Sequence, residues 1–145
     1  MGRIAVTDGM DDVAVSILET AGHEVVLRHY EPEELRSGAL ADFDAVVVRS
    51  ATKMTSDAID ASCKEGMLGF IGRAGVGVDN IDIGAATRNG VVVCNTPGAS
   101  TNSVVELTIG HLIASTRFVA RADRTLRTGD WAKKQLRGSE LGGKR

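Results

Sequence analysis

Aromatic side chains are scarce: one Trp, one Tyr and three Phe, 3% of the 145 residues. That leaves little with which to stack nucleobases. Charge of one sign is not in excess either; the net value is −2 at pH 7, so no bulk basic field argues for nucleic acid. No apolar run approaches the roughly 20 residues of a membrane span. Cysteine occurs twice, as Cys63 and Cys94, with neither a C-x-x-C nor metal-ligand spacing. The pair reads as two reduced thiols of a cytoplasmic protein, and no metal site is expected. Ile4 opens a strand almost at the N-terminus, so no signal peptide is expected. What remains is ordinary globular composition, 43% hydrophobic and 25% charged. The core must be built from Val, Ile, Leu and Ala.

Apolar runs and helix signals alternate through the first 98 residues. Strands are expected at Ile4–Thr7, Val25–Leu27, Ala45–Val48, Met67–Ile71 and Val91–Cys94. Helices are expected between them, capped by Asp11 or Asp12, by Thr55 or Ser56, and opened by Pro32 with Glu33 and Glu34 in its first turn. Ala45–Val48 is apolar on both faces, the mark of a parallel sheet covered by helices. The pattern predicts a doubly wound α/β fold, five-stranded, parallel and flavodoxin-like, in the order 2-1-3-4-5. Thr7-Asp8, Arg49-Ser50, Gly72-Arg73 and Asn95-Thr96-Pro97 each follow a strand, so they should share one rim.

Two stretches on that rim carry chemistry. In Gly72-Arg73-Ala74-Gly75-Val76-Gly77-Val78-Asp79-Asn80, glycines let the backbone turn tightly and approach a ligand, and the turn can aim N–H groups at one anion. Arg73 adds a planar cation. Gly75-x-Gly77-x-x is followed by Asn80, so the dinucleotide fingerprint is not met and an anion site is favoured over a pyrophosphate cradle. Val48-Arg49-Ser50-Ala51-Thr52-Lys53 offers a guanidinium, two hydroxyls and an ammonium in a short span. Each stretch also has a plain reading, as a glycine-rich turn or a polar loop with a helix cap. Together they suit a small, multiply charged anion.

Beyond Ala99 the alternation stops. Ser100–Thr128 lacks proline, has glycine only at Gly110, and presents Val104, Leu107, Ile109, Leu112, Ile113 and Phe118. The expectation is one helix of about 28 residues, about 40 Å long at 1.5 Å per residue. It is too long for one small sheet, so it should project towards a second domain or a second subunit. Gly129 ends it, and Trp131 follows among Lys133, Lys134 and Arg137.

Arg49-Ser50-Ala51-Thr52-Lys53, the Gly72–Asn80 stretch, Asn95-Thr96-Pro97-Gly98, Gly129-Asp130-Trp131 and the Gly138–Lys144 segment, taken in order, resemble the D-isomer-specific 2-hydroxyacid dehydrogenases. Within that family the likeness is greatest to the branch acting on 3-phosphoglycerate. The resemblance implies a substrate-binding lobe over residues 1–98. It implies a linker helix and crossover over 99–145, leading to a nucleotide-binding domain absent from the chain. It implies NAD-dependent oxidation of 3-phosphoglycerate or another D-2-hydroxy acid, the first step of serine biosynthesis. The substrate carboxylate would lie on the amides of Gly75, Val76 and Gly77, and its phosphate on Arg49 and Arg73, with Ser50 and Lys53 helping. Val76 would face the nicotinamide, where many relatives carry threonine; Thr108 and Glu106 would lie near the cofactor on the helix. Lys133 or Lys134 would reach a partner subunit's site, and the long helix would form a homo-oligomer.

The family's polarising arginine and its histidine–carboxylate pair match nothing here, and His23, His29 and His111 read as surface or packing residues. The chain alone is therefore expected to be inactive. The rival readings are a phospho-receiver, which would need an aspartate where Arg49 stands, a flavin carrier, for which aromatics are too few, and a standalone small-acid-binding or interaction module.

Overall fold

Each apolar run becomes a four-residue strand. In the computed structural model, which describes residues 2–64 and 66–144, these are β1 (Arg3–Val6), β2 (Glu24–Leu27), β3 (Ala45–Val48), β4 (Phe70–Arg73) and β5 (Val92–Asn95). All pair in parallel, in the order β2-β1-β3-β4-β5. The connections carry α1 (Asp12–Thr20), α2 (Pro32–Arg36), α3 (Ser56–Cys63) and α4 (Ile83–Arg88). Side-chain acceptors fix where the longer ones begin. Asp11 takes the Val13 N–H at 2.9 Å, Thr55 that of Ala58 at 3.4 Å and Asp82 that of Ala85 at 2.8 Å. In α2 the acceptor is Glu31, closing a reciprocal box with Glu34 behind Pro32.

The core lies on one face of the sheet. Ala5, Val46, Val48 and Ile71 pack there against Leu35 and Leu40 from α2 and the turn after it, Ala58 and Ile59 from α3, and Ala85 and Ala86 from α4. Alternation sends Ile4 and Val6 to the other face, the side of Val15 from α1. That second face is thinly covered, and Phe70 and Val92 stand exposed on it.

β4 sits further along the chain than its apolar run predicts. Met67 is exposed and its N–H bonds Ala41 O at 3.0 Å, while Gly69 bonds Asp44 O at 3.0 Å. The ladder starts only at Phe70 and runs through Gly72 and Arg73, opposite Val47 and Val48 of β3. Gly72 is therefore strand, and the glycine loop proper begins at Ala74.

The chain divides into two compact units, Met1–Ala99 and Ser100–Arg145. The second corrects the expectation of one long helix. It contains α5 (Thr101–Thr116) and α6 (Val119–Arg127), broken at Phe118, whose φ of 55° is left-handed. The break has a visible cause. Thr116 O, which an unbroken helix would give to the Ala120 N–H, instead accepts the Ser139 N–H at 3.0 Å. Gly138 lets that returning segment cross, since a Cβ there would come within 2.8 Å of Arg117 Cα. The Thr116 hydroxyl also competes for the backbone, lying 2.8 Å from Leu112 O. Neither helix has a fully buried residue, and Ala132 is the one buried apolar side chain of this unit among the described residues. No described helix is long and apolar enough to cross a membrane.

The break makes a direct prediction. The Ala122 N–H bonds Phe118 O at 2.8 Å, but Phe118, Val119, Ala120 and Arg121 donate to no described acceptor. In amide hydrogen exchange, residues 118–121 should exchange faster than Ile113–Arg117 on one side and Asp123–Arg127 on the other. Uniform protection across 113–127 would restore the continuous helix.

Candidate functional site

The carboxyl ends of parallel strands share one rim, and the order reverses between β1 and β3. Asp8 follows β1 at that reversal. Its Oδ2 accepts the Arg49 N–H at 2.7 Å and the Thr52 N–H at 3.0 Å, and its Oδ1 accepts the Thr52 hydroxyl at 2.6 Å. Burial pushes the carboxyl up, but these hydrogen bonds, led by the Thr52 hydroxyl, outweigh it and hold Asp8 below its ordinary value. Asn80 works from the other side: its Nδ2 donates to Arg49 O at 2.8 Å and to Thr52 O at 2.7 Å.

β4 delivers the second loop. Ala74 N–H extends the ladder to Val48 O at 2.9 Å, and Gly75 N–H folds back on Arg73 O at 2.8 Å in a tight turn. The carbonyls of Gly75 and Val76 are then held from the β5 side, by the Thr96 N–H at 3.0 Å and by Asn95 Nδ2 at 2.6 Å. In a planar trans peptide the C=O and the following N–H point in opposite directions. The N–H groups of Val76 and Gly77 therefore point away from those donors, and neither meets a protein acceptor among the described residues. Of the three amides expected to face an anion, Gly75 has already donated to Arg73 O, and Val76 and Gly77 have not donated among the described residues.

Arg73 ends β4 beside this turn. A Cβ on Gly75 would overlap the Arg73 guanidinium, so the glycine is what allows that side chain to lie across the loop. Arg73 Nε is buried without a partner. Four arginines of the first unit are paired with carboxylates; among the described residues, Arg49, Lys53, Lys64 and Arg73 are not. Arg3 pairs with Glu24 at 3.0 Å, Arg36 with Glu33 at 2.7 Å, Arg28 with Glu34, and Arg88 with Asp60 at 3.8 Å. Among the described residues no carboxylate oxygen lies within 4.0 Å of Arg49, Lys53 or Arg73. Ser50 is exposed beside Arg49. Lys53 borders two hollows, one of about 430 Å³ with Ser50, Asp79 and Asn80, the other of about 460 Å³ with His29, Tyr30 and Ala51.

The remaining expected residues belong to the second unit. Thr108 lies in α5 and donates its hydroxyl to Val104 O at 2.7 Å, so it is committed within its own helix; Glu106 is exposed on the same helix. Lys133 opens a short 3-10 turn (Lys133–Gln135). It borders a cleft of about 670 Å³ walled by Val119, Leu126, Trp131 and Leu136. Asp8 and Asn80 are the site residues the sequence did not single out. Asp8 was visible only as an acid after a strand, and Asn80 only as the residue spoiling a glycine fingerprint.

The lowered Asp8 pKa gives a signed expectation. A carboxylate depressed in the folded state contributes stability above its unfolded value and loses it as pH falls through the folded one. Urea melts of wild type and Asp8→Asn should differ by a constant amount from about pH 7 to about pH 5, and the gap should narrow below about pH 4. A gap that widens on acidification would reverse the sign.

The chain is similar to known proteins over nearly its whole length. Residues 4–138 match the family model described as D-isomer specific 2-hydroxyacid dehydrogenase, catalytic domain. A D-3-phosphoglycerate dehydrogenase of Methanocaldococcus jannaschii is 46% identical over 144 residues, 99% of this chain and 27% of that protein. A hydroxypyruvate reductase of Thermotoga maritima is 45% identical over 143 residues, 98% of this chain and 45% of that protein. A crystal structure of NAD+-bound 3-phosphoglycerate dehydrogenase in Entamoeba histolytica superposes with a TM-score of 0.66 at 40% identity, covering 80% of this chain and 39% of that one. The chain thus spans less than half the length of these relatives. With nearly all of it inside the family model, the chain belongs to the D-isomer-specific 2-hydroxyacid dehydrogenases.

Proposed function

We propose that this chain is the substrate-binding part of an NAD-dependent dehydrogenase that oxidises 3-phosphoglycerate, or a close D-2-hydroxy acid, to the 2-oxo acid in serine biosynthesis. One observation carries the reading. Three cations without carboxylate partners among the described residues, Arg49, Lys53 and Arg73, and two amides without acceptors among them, Val76 and Gly77, come from adjoining strand ends of one rim. Two free N–H groups suit a carboxylate, and guanidinium forks suit a phosphate. Relatives at 46% and 45% identity are called a phosphoglycerate dehydrogenase and a hydroxypyruvate reductase. The surplus positive charge favours the phosphorylated substrate of the two.

The residues present fit only the edge of a dinucleotide. The Gly75 turn lacks a third glycine at Asn80, its first amide is spent on Arg73 O, and α4 begins only at Ile83. Val76, half exposed at 50%, offers an apolar contact at the loop's crest. When bound elsewhere in the enzyme, NAD would take the hydride from C2 of the hydroxy acid. This part's task is to fix the carboxylate and the phosphate so that C2 faces it. The apolar cleft at Trp131, which is 75% exposed, and the unburied helices α5 and α6 suit an oligomer contact in a cytoplasmic enzyme, with Lys133 close to that surface.

Two outcomes are expected. The 145-residue chain should show no NAD reduction with 3-phosphoglycerate, yet the substrate should shift the Val76 and Gly77 amides at around millimolar concentration, about −4 kcal/mol. Turnover by the pure chain would remove the claim that it is only the binding part. In the full-length dehydrogenase, Arg49→Ala and Arg73→Ala should each raise KM for 3-phosphoglycerate about 10- to 100-fold, as loss of a charge-assisted hydrogen bond of roughly 1.5–3 kcal/mol implies. KM for NAD should move far less. Unchanged KM for 3-phosphoglycerate in both variants would refute the phosphate assignment.

A further inference from the structure

We infer that Asp8 is a positioning residue: with Asn80 it grips the Arg49–Thr52 loop from both sides and sets that loop and the glycine loop as one body. The inference rests on the proposed anion site for its ligand, but its geometry stands alone.

Asp8 takes the main-chain N–H groups of Arg49 and Thr52, and Asn80 takes the main-chain carbonyls of the same two residues. Both ends of the loop are thus held by a carboxylate on one side and a carboxamide on the other. The Asn80 orientation follows from its partners, because only the amide nitrogen can face two carbonyl oxygens. Asn80 lies three residues after Gly77, and its own carbonyl accepts the Met54 N–H at 2.8 Å, closing the tie between the two segments.

The choice of acceptor is informative. A carboxylate beside an anion site lowers the local positive potential, which opposes ligand binding. Asp8 nevertheless sits next to Arg49 in space and bonds its backbone, while among the described residues no carboxylate oxygen lies within 4.0 Å of the guanidinium. Its charge is spent on two amides and on the hydroxyl of Thr52, a buried residue that also lies 2.8 Å from the Thr7 hydroxyl. The single Thr52 proton goes to the charged acceptor. Asp8 thereby fixes where Arg49 starts from and leaves its fork free.

The test uses the 145-residue chain and a matched control. Asp44 makes the same kind of contact at the other end of the sheet, accepting the Arg3 N–H at 2.6 Å. In Asp8→Ala, amide exchange at Arg49 and Thr52 should accelerate about 10-fold, and affinity for 3-phosphoglycerate, read at the Val76 and Gly77 amides, should fall about 10-fold. Asp8→Asn keeps an acceptor for the two amides and should recover most of both. Asp44→Ala should lower the melting temperature without changing the affinity. Equal loss of affinity in Asp8→Ala and Asp44→Ala, or unchanged affinity in Asp8→Ala, would overturn the inference. If the wild-type chain binds no 3-phosphoglycerate, the proposed function fails instead. Exchange then decides for Asp8: protection at Arg49 and Thr52 that survives Asp8→Ala overturns its role, and lost protection upholds it. Should Asp8→Ala not fold, Thr52→Val removes the hydroxyl contact alone. Faster Arg49 and Thr52 exchange in that variant supports the inference, and wild-type exchange overturns it.

Discussion

The parallel register between β3 and β4 sets Val48 opposite Arg73 and Val47 opposite Gly72. The meeting of the Arg49 loop and the Arg73 turn depends on that pairing. It brings Arg49, one residue past Val48, alongside the strand that ends in Arg73. It also starts the tight turn at Ala74, whose N–H still reaches Val48 O at 2.9 Å. Strand side chains alternate, so a slip of one residue would send Arg73 to the opposite face and drive Ile71, now fully buried, towards solvent. The apolar side chains that build the core therefore also fix the cations. Burial of Val46, Val48 and Ile71 resists the slip, and the charged loops inherit the precision of the ladder.

Much of this was legible because parallel sheets write themselves in apolar runs. Ala45–Val48 predicted β3 to the residue, and the strand order followed from the alternation of strands and helices. The sharing of a rim by Arg49, Arg73 and the glycine turn follows from topology alone. What the sequence hid was hydrogen bonding across long separations. Nothing local distinguishes Asp8 from Asp11, yet one organises a loop 41 residues away and the other caps its own helix. Nor does local sequence tell which way the Val76 and Gly77 amides face. That depends on where Asn95 and Thr96 emerge from β5.

The broken helix shows a different blind spot. Between Thr101 and Arg127 there is no proline, and the one glycine, Gly110, lies within α5 and does not mark the break. Propensity argues for continuity, and Phe118 in a left-handed conformation goes against it at a cost of roughly 1–2 kcal/mol. The offset comes from a residue far along the chain, Ser139, whose N–H takes over the carbonyl of Thr116. Helix periodicity sees only near neighbours and carries no trace of such a strap. The interruption divides the apolar surface of this unit into two short helices, neither with a buried residue, beside a cleft containing an exposed Trp131.

Pairing of charges is uneven over the first unit: Arg3, Arg28, Arg36 and Arg88 meet carboxylates, while Arg49, Lys53, Lys64 and Arg73 meet none among the described residues. Exposed ion pairs such as Arg3–Glu24 and Arg36–Glu33 contribute little each, on the order of 0–1 kcal/mol, but they neutralise their surroundings. At the rim the opposite holds. Arg73 Nε and Asn80 Oδ1 are buried without partners, and buried polar groups left unsatisfied destabilise a fold. An arrangement that leaves cations and amides unpartnered among the described residues, while the carbonyls of Gly75 and Val76 are tied down, suits an acceptor from outside. Glycine at position 75 belongs to the same logic. It contributes no packing of its own, and any side chain there would displace the guanidinium that the site holds ready. Two of the three buried polar atoms without partners among the described residues, Arg73 Nε and Asn80 Oδ1, thus lie on this rim, a pattern that suits a binding edge, while the third, His23 Nδ1, lies at the opposite end of the sheet before β2.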